Sequence, residues 1–248
     1  MAASLTIGLV GYGKMGKAIE AMAEKQGLAV GKIITSNENQ GGEAIRSLKQ
    51  SDVDILLDFT NPAAVVDNIQ AAAEAKINMV IGTTGWYDKL ETVRSIVDQY
   101  KIGLFYASNF SIGMNIMYRL VQEAVRLANG FPEYDTFVHE MHHNQKKDSP
   151  SGSAYTLANI ILNESTRKKH ILTDKQSGLI DPETLHVSST RAGSIVGTHI
   201  AGFDSDFDSI EIKHSAKNRV GFVQGALRAA QWVNGRTGLY TMDDFLRA

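Results

Sequence analysis

The sequence predicts an α/β chain: an N-terminal doubly wound parallel sheet, followed by a second α+β domain built on a mixed or antiparallel sheet. Three observations carry this expectation. Through about the first hundred residues, short apolar runs alternate with helix-length amphipathic segments, the βαβα order of a parallel sheet. A glycine-rich turn follows the first apolar run directly. After Ser108 the order changes to longer helices and then to three consecutive strand-like runs.

Leu5–Val10 is a short apolar run of the kind buried on both faces of a parallel sheet, and a helix near Met15–Gln26 follows its glycine turn. Leu28–Thr35 and Asp54–Phe59 read as the next strands. Asn61-Pro62 supplies a helix cap with proline at the first helical position, opening a helix to about Lys76. Asn78–Gly82 is a strand, Tyr87–Tyr100 a helix and Ile102–Ala107 a strand. Beyond it, Met114, Met117, Leu120, Val121, Ala124, Val125 and Ala128 fall at helical spacing within Gly113–Asn129. Thr136–Met141 is a strand, Asn144–Ser151 a polar loop and Ser153–Ser165 a helix. His186–Arg191, Ser194–Phe203 and Ser209–Ser215 are the three strand-like runs, and Val223–Val233 is a last helix expected to return to the first domain. The expected division is therefore 1–111, completed by 219–248, and 112–218, with a tight hinge near Asn109–Gly113.

Composition narrows the function. The 248 residues are 43% hydrophobic and 21% charged, with a formal net charge of −2 and no cysteine. That charge gives no basic field for nucleic acid or an acidic membrane. The absence of cysteine removes disulfides, zinc ribbons and thiol nucleophiles. The N-terminal apolar stretch is interrupted by Gly8, Gly11 and Gly13, so it reads as a strand and not as a signal peptide. No membrane span is expected, and a cytoplasmic protein is.

Gly11-Tyr12-Gly13-Lys14-Met15-Gly16 is a G-x-G-x-x-G between a strand and a helix. The first glycine makes the tight turn, the second lets backbone approach a pyrophosphate, and the third allows close helix packing, with the helix N-terminus facing the anion. This is the Rossmann-type dinucleotide pattern. The acid expected about 20 residues later to hold the ribose is missing, because the second strand ends in Thr35-Ser36-Asn37 and Glu38 lies slightly too far along. NADPH is then permitted beside NADH, with Lys14 a candidate for its 2′-phosphate. Phe59 and Thr60, Gly82-Thr83-Thr84-Gly85, and Ala107-Ser108-Asn109-Phe110 follow the other strands and should converge on the same crevice.

Residues 140–154 read EMHHNQKKDSPSGSA. Histidine moves a proton near neutral pH, and lysine can hold a carboxylate or donate a proton. N–H groups around Gly152 and Ser153, at a helix N-terminus, would make an anion seat. The cluster suits a small substrate carrying carboxylates. A metal site is not expected, since strand alternation sets His139 and His142 on opposite faces and no second acidic cluster completes one. A nicotinamide-sensing binding protein would share the first domain without needing this cluster. A metal-dependent hydrolase would use the histidines without the glycine turn.

With that cluster the chain resembles the 4-hydroxy-tetrahydrodipicolinate (dihydrodipicolinate) reductases. Their signature reads approximately E-x-H-H-x-x-K-x-D-A-P-S-G-T-A. The resemblance runs through DFTNP at 58–62, GTTG at 82–85, SNFSIG at 108–113, RAGSIVGTH at 191–199, IEIKHSA at 210–216 and GLYTMDDFL at 238–246. It implies reduction by NADPH or NADH of a cyclic dicarboxylate in diaminopimelate and lysine biosynthesis, by a homotetramer joined through the second-domain sheet. His142 matches the proton donor and acceptor, and Lys146 the proton donor. His143, Gly152 and Ser153 match positions that hold substrate carboxylates. Gly11 to Met15, Gly82 to Thr84 and Ala107 to Phe110 match the nucleotide loops. Ser153 stands where the family usually has threonine and Ser149 where it has alanine. The glycine loop is a residue shorter than in many members, and with Thr35 and Ser36 the expectation is use of both cofactors with a modest NADPH preference.

Overall fold

The computed structural model describes residues 5–247. Residues 1–4 and 248, at the ends of the expected first domain, lie outside the described residues. In chain order the elements are β1 (Leu5–Val10), α1 (Lys14–Ala23), β2 (Leu28–Ile34), α2 (Glu43–Arg46), β3 (Ile55–Asp58), α3 (Val65–Glu74), β4 (Asn78–Ile81), α4 (Leu90–Tyr100) and β5 (Gly103–Tyr106). They continue with α5 (Ile112–Ala128), β6 (Asp135–His142), α6 (Gly152–Glu164), β7 (His170–Leu172), β8 (Thr184–Arg191), β9 (Thr198–Asp204), β10 (Ser209–Ser215), α7 (Val220–Val233), β11 (Gly238–Tyr240) and α8 (Met242–Arg247). The chain forms two compact units, one running to Ile112 and resuming at Val220, the other Gly113–Arg219.

The first unit is a six-stranded sheet in the order β11-β5-β4-β3-β1-β2, parallel throughout. The sequence alternation predicts this sheet, and its apolar runs feed both faces. Leu56, Met79, Ile81 and Leu104 pack under α2, α3 and α4, while Ile55, Leu57, Val80 and Phe105 pack under α1, α7 and α8. The last helix thus returns to the first sheet.

One backbone device fixes the carboxyl edge. Gly11 donates its N–H to Ile34 O at 2.9 Å, Phe59 to Val10 O at 2.9 Å, Gly82 to Asp58 O at 2.8 Å and Ala107 to Ile81 O at 3.2 Å. Each residue after a strand is tied to the end of a neighbouring strand, so four turns start at one level.

The second unit is a mixed sheet in the order β10-β9-β6-β8-β7, with β6, β8 and β7 parallel and β9 antiparallel to both β6 and β10. One face carries Val138, Leu185, Val187 and Ala201 against Met117 and Val121 of α5 and Leu157 and Ile161 of α6.

Several sequence expectations need correcting. Ala64 and not Asn61 precedes α3, because Asn61 Oδ1 is spent on the N–H groups of Ala63 and Ala64 in a separate tight turn. The first helix closes in a 3₁₀ turn over Glu24–Gln26, stopped by Gly27 at φ 72°. Ser194–Gly197 is a turn and not strand, as Gly193 (φ 48°) and Gly197 (φ 159°) interrupt the ladder. β7, β11 and α8 are too short to leave a periodic signal in the sequence.

Candidate active site

The first candidate site lies at the carboxyl edge of the parallel sheet, where the strand order reverses between β1 and β3. Gly11 has φ +88°, and a Cβ there would stand 2.6 Å from Phe59 O. Gly16 is equally excluded from carrying a side chain, by Gly11 O at 2.5 Å. Gly13 precedes α1 with nothing within 4 Å of the Cβ position, so open space faces the free N–H groups of the helix. That cradle fits a pyrophosphate.

Tyr12 is bonded through its hydroxyl to Glu20, Met15 packs into the core, and Lys14 is exposed. The Phe59 ring covers Gly82, where a Cβ would meet it at 2.0 Å. Phe110 stacks obliquely on Phe59 with centroids 6.0 Å apart. Trp86, fully buried, donates Nε1–H to Thr83 O at 2.8 Å and so pins the Thr83–Thr84 turn. Ala107 is buried and Ser108 exposed, while Asn109 Oδ1 accepts the Ser111 N–H at 2.8 Å. A cleft of about 280 Å³ is lined by Gly11, Thr35, Ser36, Asn39, Thr60 and Asn68 among others.

Two acids of this unit stand at the carboxyl ends of β2 and β3. Glu38 folds back so that its Oε2 accepts from Thr35 N–H at 3.2 Å and Thr35 Oγ1 at 2.9 Å. Although Glu38 lies four residues past the last residue of β2, its carboxylate sits at the end of that strand. The turn closed by Glu38 N–H on Thr35 O brings it there, and the Thr35 backbone bond holds its carboxyl below the usual range. Asp58 is wholly buried at the end of β3; burial pushes its carboxyl up, while Thr60, Asn68 and Thr83 donate to it and oppose that shift.

The second candidate site is in the other unit. Glu140 and His142 are alternate residues of β6, so they share its inner face, and His142 Nδ1 bonds Glu140 Oε2 closely. His139 lies on the other face with Nδ1 2.7 Å from Ser188 Oγ, as alternation predicts. Glu140 is 0% exposed. Its Oε1 takes Arg191 Nη2 at 2.6 Å and the Ser151 N–H at 3.3 Å. Arg191 Nη2 also donates to Asp148 O at 2.6 Å, which ties the polar loop back to the strand.

Burial penalises the Glu140 charge, but Arg191 and the other hydrogen bonds more than offset this, so its carboxyl lies below the usual range. The His142 imidazole is pushed down by burial, a shift that Glu140 opposes. The result is an ionised Glu140 accepting Nδ1–H from a neutral His142, which leaves Nε2 as the basic nitrogen.

Lys146 Nζ grips Asp148 at 2.7 and 2.8 Å. His143 is half-buried on the same loop. Ser151 caps α6, its Oγ accepting the Ala154 N–H at 3.2 Å, so the helix begins at Gly152 with Ser153 next. Gly152 is exposed with nothing within 4 Å of its Cβ position, an open approach to the helix N-terminus.

His199, from β9, stands 3.0 Å by Nε2 from Ser151 Oγ and edge-on to His142 with centroids 5.2 Å apart. Burial, and then His142, lower it to about 4. Glu140, His142 and His199 present ligand-type atoms within 4.8 Å of one another, a grouping made by the pairing of β6 with β9 and not by alternation along β6 alone. Both oxygens of Glu140 and Nδ1 of His142 are already engaged and His199 Nε2 faces Ser151, while His199 Nδ1 is buried without a hydrogen-bond partner.

A glycine cradle at the reversal of a parallel sheet and a proton-handling pair beside a helix N-terminus are the parts of a pyridine-nucleotide-dependent oxidoreductase. Comparison gives the particular family. The model described as dihydrodipicolinate reductase, N-terminus, matches residues 5–110, and that described as dihydrodipicolinate reductase, C-terminus, matches 113–246. The chain belongs to the dihydrodipicolinate reductase family. It is 36% identical to a 4-hydroxy-tetrahydrodipicolinate reductase of Christiangramia forsetii over 98% of both chains. It is 39% identical to one of Neisseria gonorrhoeae over 80% of this chain and 74% of the other. A dipicolinate-bound dihydrodipicolinate reductase from a Paenisporosarcina species superposes with TM-score 0.78 at 23% identity, covering 96% of this chain and 97% of that one. A probable dehydrogenase of Thermotoga maritima shares the fold at TM-score 0.57, with 10% identity, over 97% of this chain and 92% of that one.

Proposed function

We propose that the protein reduces 4-hydroxy-tetrahydrodipicolinate to tetrahydrodipicolinate with NADPH or NADH, in diaminopimelate and lysine biosynthesis. The observation that carries this reading is the Glu140–His142 pair beside the open Gly152–Ser153 helix start, in a chain of this family. The first unit, to about residue 111 with 219 onward, binds the dinucleotide, and residues 112–218 bind substrate and build the oligomer. Gly11 to Met15 hold the pyrophosphate; Thr35 and Ser36 face the adenosine ribose; Phe59, Thr60, Gly82 to Thr84 and Ala107 to Phe110 line the nicotinamide side. When bound, the reduced nicotinamide supplies a hydride.

This chain's own residues do the rest. The N–H groups at Gly152 and Ser153, with the Ser153 hydroxyl and His143, seat the substrate carboxylates. Lys146 adds a positive charge there, exchanging Asp148 for a substrate carboxylate. His142 moves the proton through Nε2 while Glu140 holds Nδ1–H, and Lys146 donates on the same side. Loss of water from the 4-hydroxy substrate precedes reduction.

The test is to generate the substrate from pyruvate and aspartate semialdehyde with the preceding synthase and follow nicotinamide absorbance. Oxidation that chelator leaves unchanged supports the reading. No oxidation overturns it, and loss with chelator would turn Glu140, His142 and His199 into a metal site.

The same reading places the protein in the cytoplasm; among the described residues no helix is long and apolar enough to cross a membrane. It also makes the protein a homotetramer. Leu127 (64% exposed), Phe131 (55%) and Ile210 (52%) line an apolar groove of about 430 Å³ on the second unit. Such area needs a cover. Light scattering at micromolar concentration should give a multiple of 27.1 kDa, and a monomeric mass would count against assembly.

A further inference from the structure

Asp58 is the buried acid that the proposed chemistry does not use. Its Oδ1 accepts the Thr60 N–H at 3.0 Å, Thr60 Oγ1 at 2.7 Å and Thr83 Oγ1 at 3.0 Å. Its Oδ2 accepts Asn68 Nδ2 at 2.7 Å. The amides behind Asn68 continue the pattern. Asn39 Nδ2 donates to Asn68 Oδ1 at 2.8 Å, and Asn39 Oδ1 accepts the Ile45 N–H at 3.2 Å.

That chain has one direction. A peptide N–H can only donate, so Asn39 must turn its oxygen to Ile45 and its amino group to Asn68. Asn68 must then turn its own amino group toward residue 58. The last group must accept on both sides, and only a carboxylate does. An amide at 58 would set N–H against the amino group of Asn68 or against the Thr60 and Thr83 donors, inside a site that is 0% exposed.

The chain also has a purpose in space. Asn39, Thr60 and Asn68 line the cleft that Gly11, Thr35 and Ser36 share. Thr83 belongs to the next turn along the sheet edge, and its Oγ1 takes the Thr60 N–H at 2.9 Å. We propose that Asp58 is a positioning residue for the dinucleotide, the acceptor terminus that locks the Asn39–Ile45 segment and the Thr60 and Thr83 turns into one preorganised rim. The role rests on the reading that this sheet edge takes the cofactor. Preorganisation raises affinity by removing the ordering cost from the binding step.

The test reverses the single link between residues 58 and 68. Asp58→Asn breaks it. Combined with Asn68→Asp it is restored: the amide now at 58 donates to the carboxylate now at 68, which also accepts from Asn39. Dissociation constants for NADPH and NADH are measured by direct titration of nicotinamide fluorescence, with thermal unfolding recorded without cofactor. The single variant should bind both nucleotides about tenfold or more weakly, because the loosened rim would have to be ordered in the binding step. The double variant should return to within about threefold of the unaltered protein. A single variant that binds normally sinks the proposal. So does a double variant that regains its unfolding temperature and not its affinity, because the role would then be structural only. Should the single variant fail to fold, binding by the double variant decides alone: tight binding supports the proposal and weak binding overturns it. If the unaltered protein bound neither nucleotide, the cofactor reading would fall first, and this proposal with it.

Discussion

The two candidate sites are made of different material. At the edge of the parallel sheet the ligand-facing groups are backbone N–H, glycine and neutral hydroxyls, with the one deep carboxylate, Asp58, turned inward to hold turns together. At the end of β6 they are ionisable side chains locked to one another, Glu140 to His142 and Arg191, and Lys146 to Asp148. On the proposed reading the first arrangement would seat an anion without moving a proton, and the second would move protons and need its charges aimed. Side-chain changes at β6 should therefore cost turnover and spare cofactor affinity.

The largest effect expected is at His142. His142→Gln should lower kcat by about a hundredfold or more, the usual worth of a positioned proton-transfer group, with the NADPH dissociation constant near its original value. Lys146→Ala should be at least as damaging, because it removes both a charge for the substrate carboxylate and a proton source. Steady-state kinetics with a parallel cofactor titration checks both. A variant keeping more than about a tenth of kcat/KM, a loss under roughly 1.4 kcal/mol, would relieve that residue of its role.

Glu140→Gln is expected next, at about tenfold in kcat, and its diagnostic is a pH profile. Burial lowers the His142 pKa and Glu140 opposes that shift. Removing the carboxylate leaves burial unopposed, so the His142 pKa falls further. The limb of kcat/KM that reports His142 should then move to lower pH. A profile unchanged in position with kcat intact would break the idea that the pair acts as a unit.

The same difference in material explains what could be read beforehand. The glycine turn, the apolar strands and the EMHHNQKKDSPSGSA segment are local, and local pattern is what sequence displays. Glu140 was within reach, since i and i+2 on a strand share a face, as it does with His142. Arg191 and His199 were not. They reach the site through the pairing of β6 with β8 and β9, a register that no short window contains. Glu38 lies slightly too far along the sequence for the ribose acid, and only the turn that returns it to Thr35 brings it to the end of β2. Asp58 and Asn68 are ten residues apart and Asn39 a further stretch upstream, so their chain of hydrogen bonds exists only once the sheet has formed.

The smallest effect expected concerns the choice between the two cofactors, where Lys14 and Glu38 bring opposite charges to an otherwise mostly neutral sheet edge. Lys14 is exposed beside the glycine turn and would attract a 2′-phosphate, but as a point charge without the fork of an arginine. Glu38, exposed and held on Thr35, would repel the same phosphate and could accept a ribose hydroxyl. Exposed charges of this kind shift affinity by about fivefold or less, so the two nearly cancel. We propose that both cofactors are used, NADPH being modestly preferred, and that the preference shrinks as salt screens Lys14. Glu38→Gln should widen it by a few-fold. Lys14→Met should erase it, and Thr35→Glu, adding a second carboxylate at the end of β2, should turn the protein toward NADH. The measurement is kcat/KM for each cofactor at low and high salt. A strong NADH preference in the unaltered protein would mean that Glu38 dominates Lys14, and that the ribose carboxylate absent from its usual place in the sequence is supplied in full by the turn.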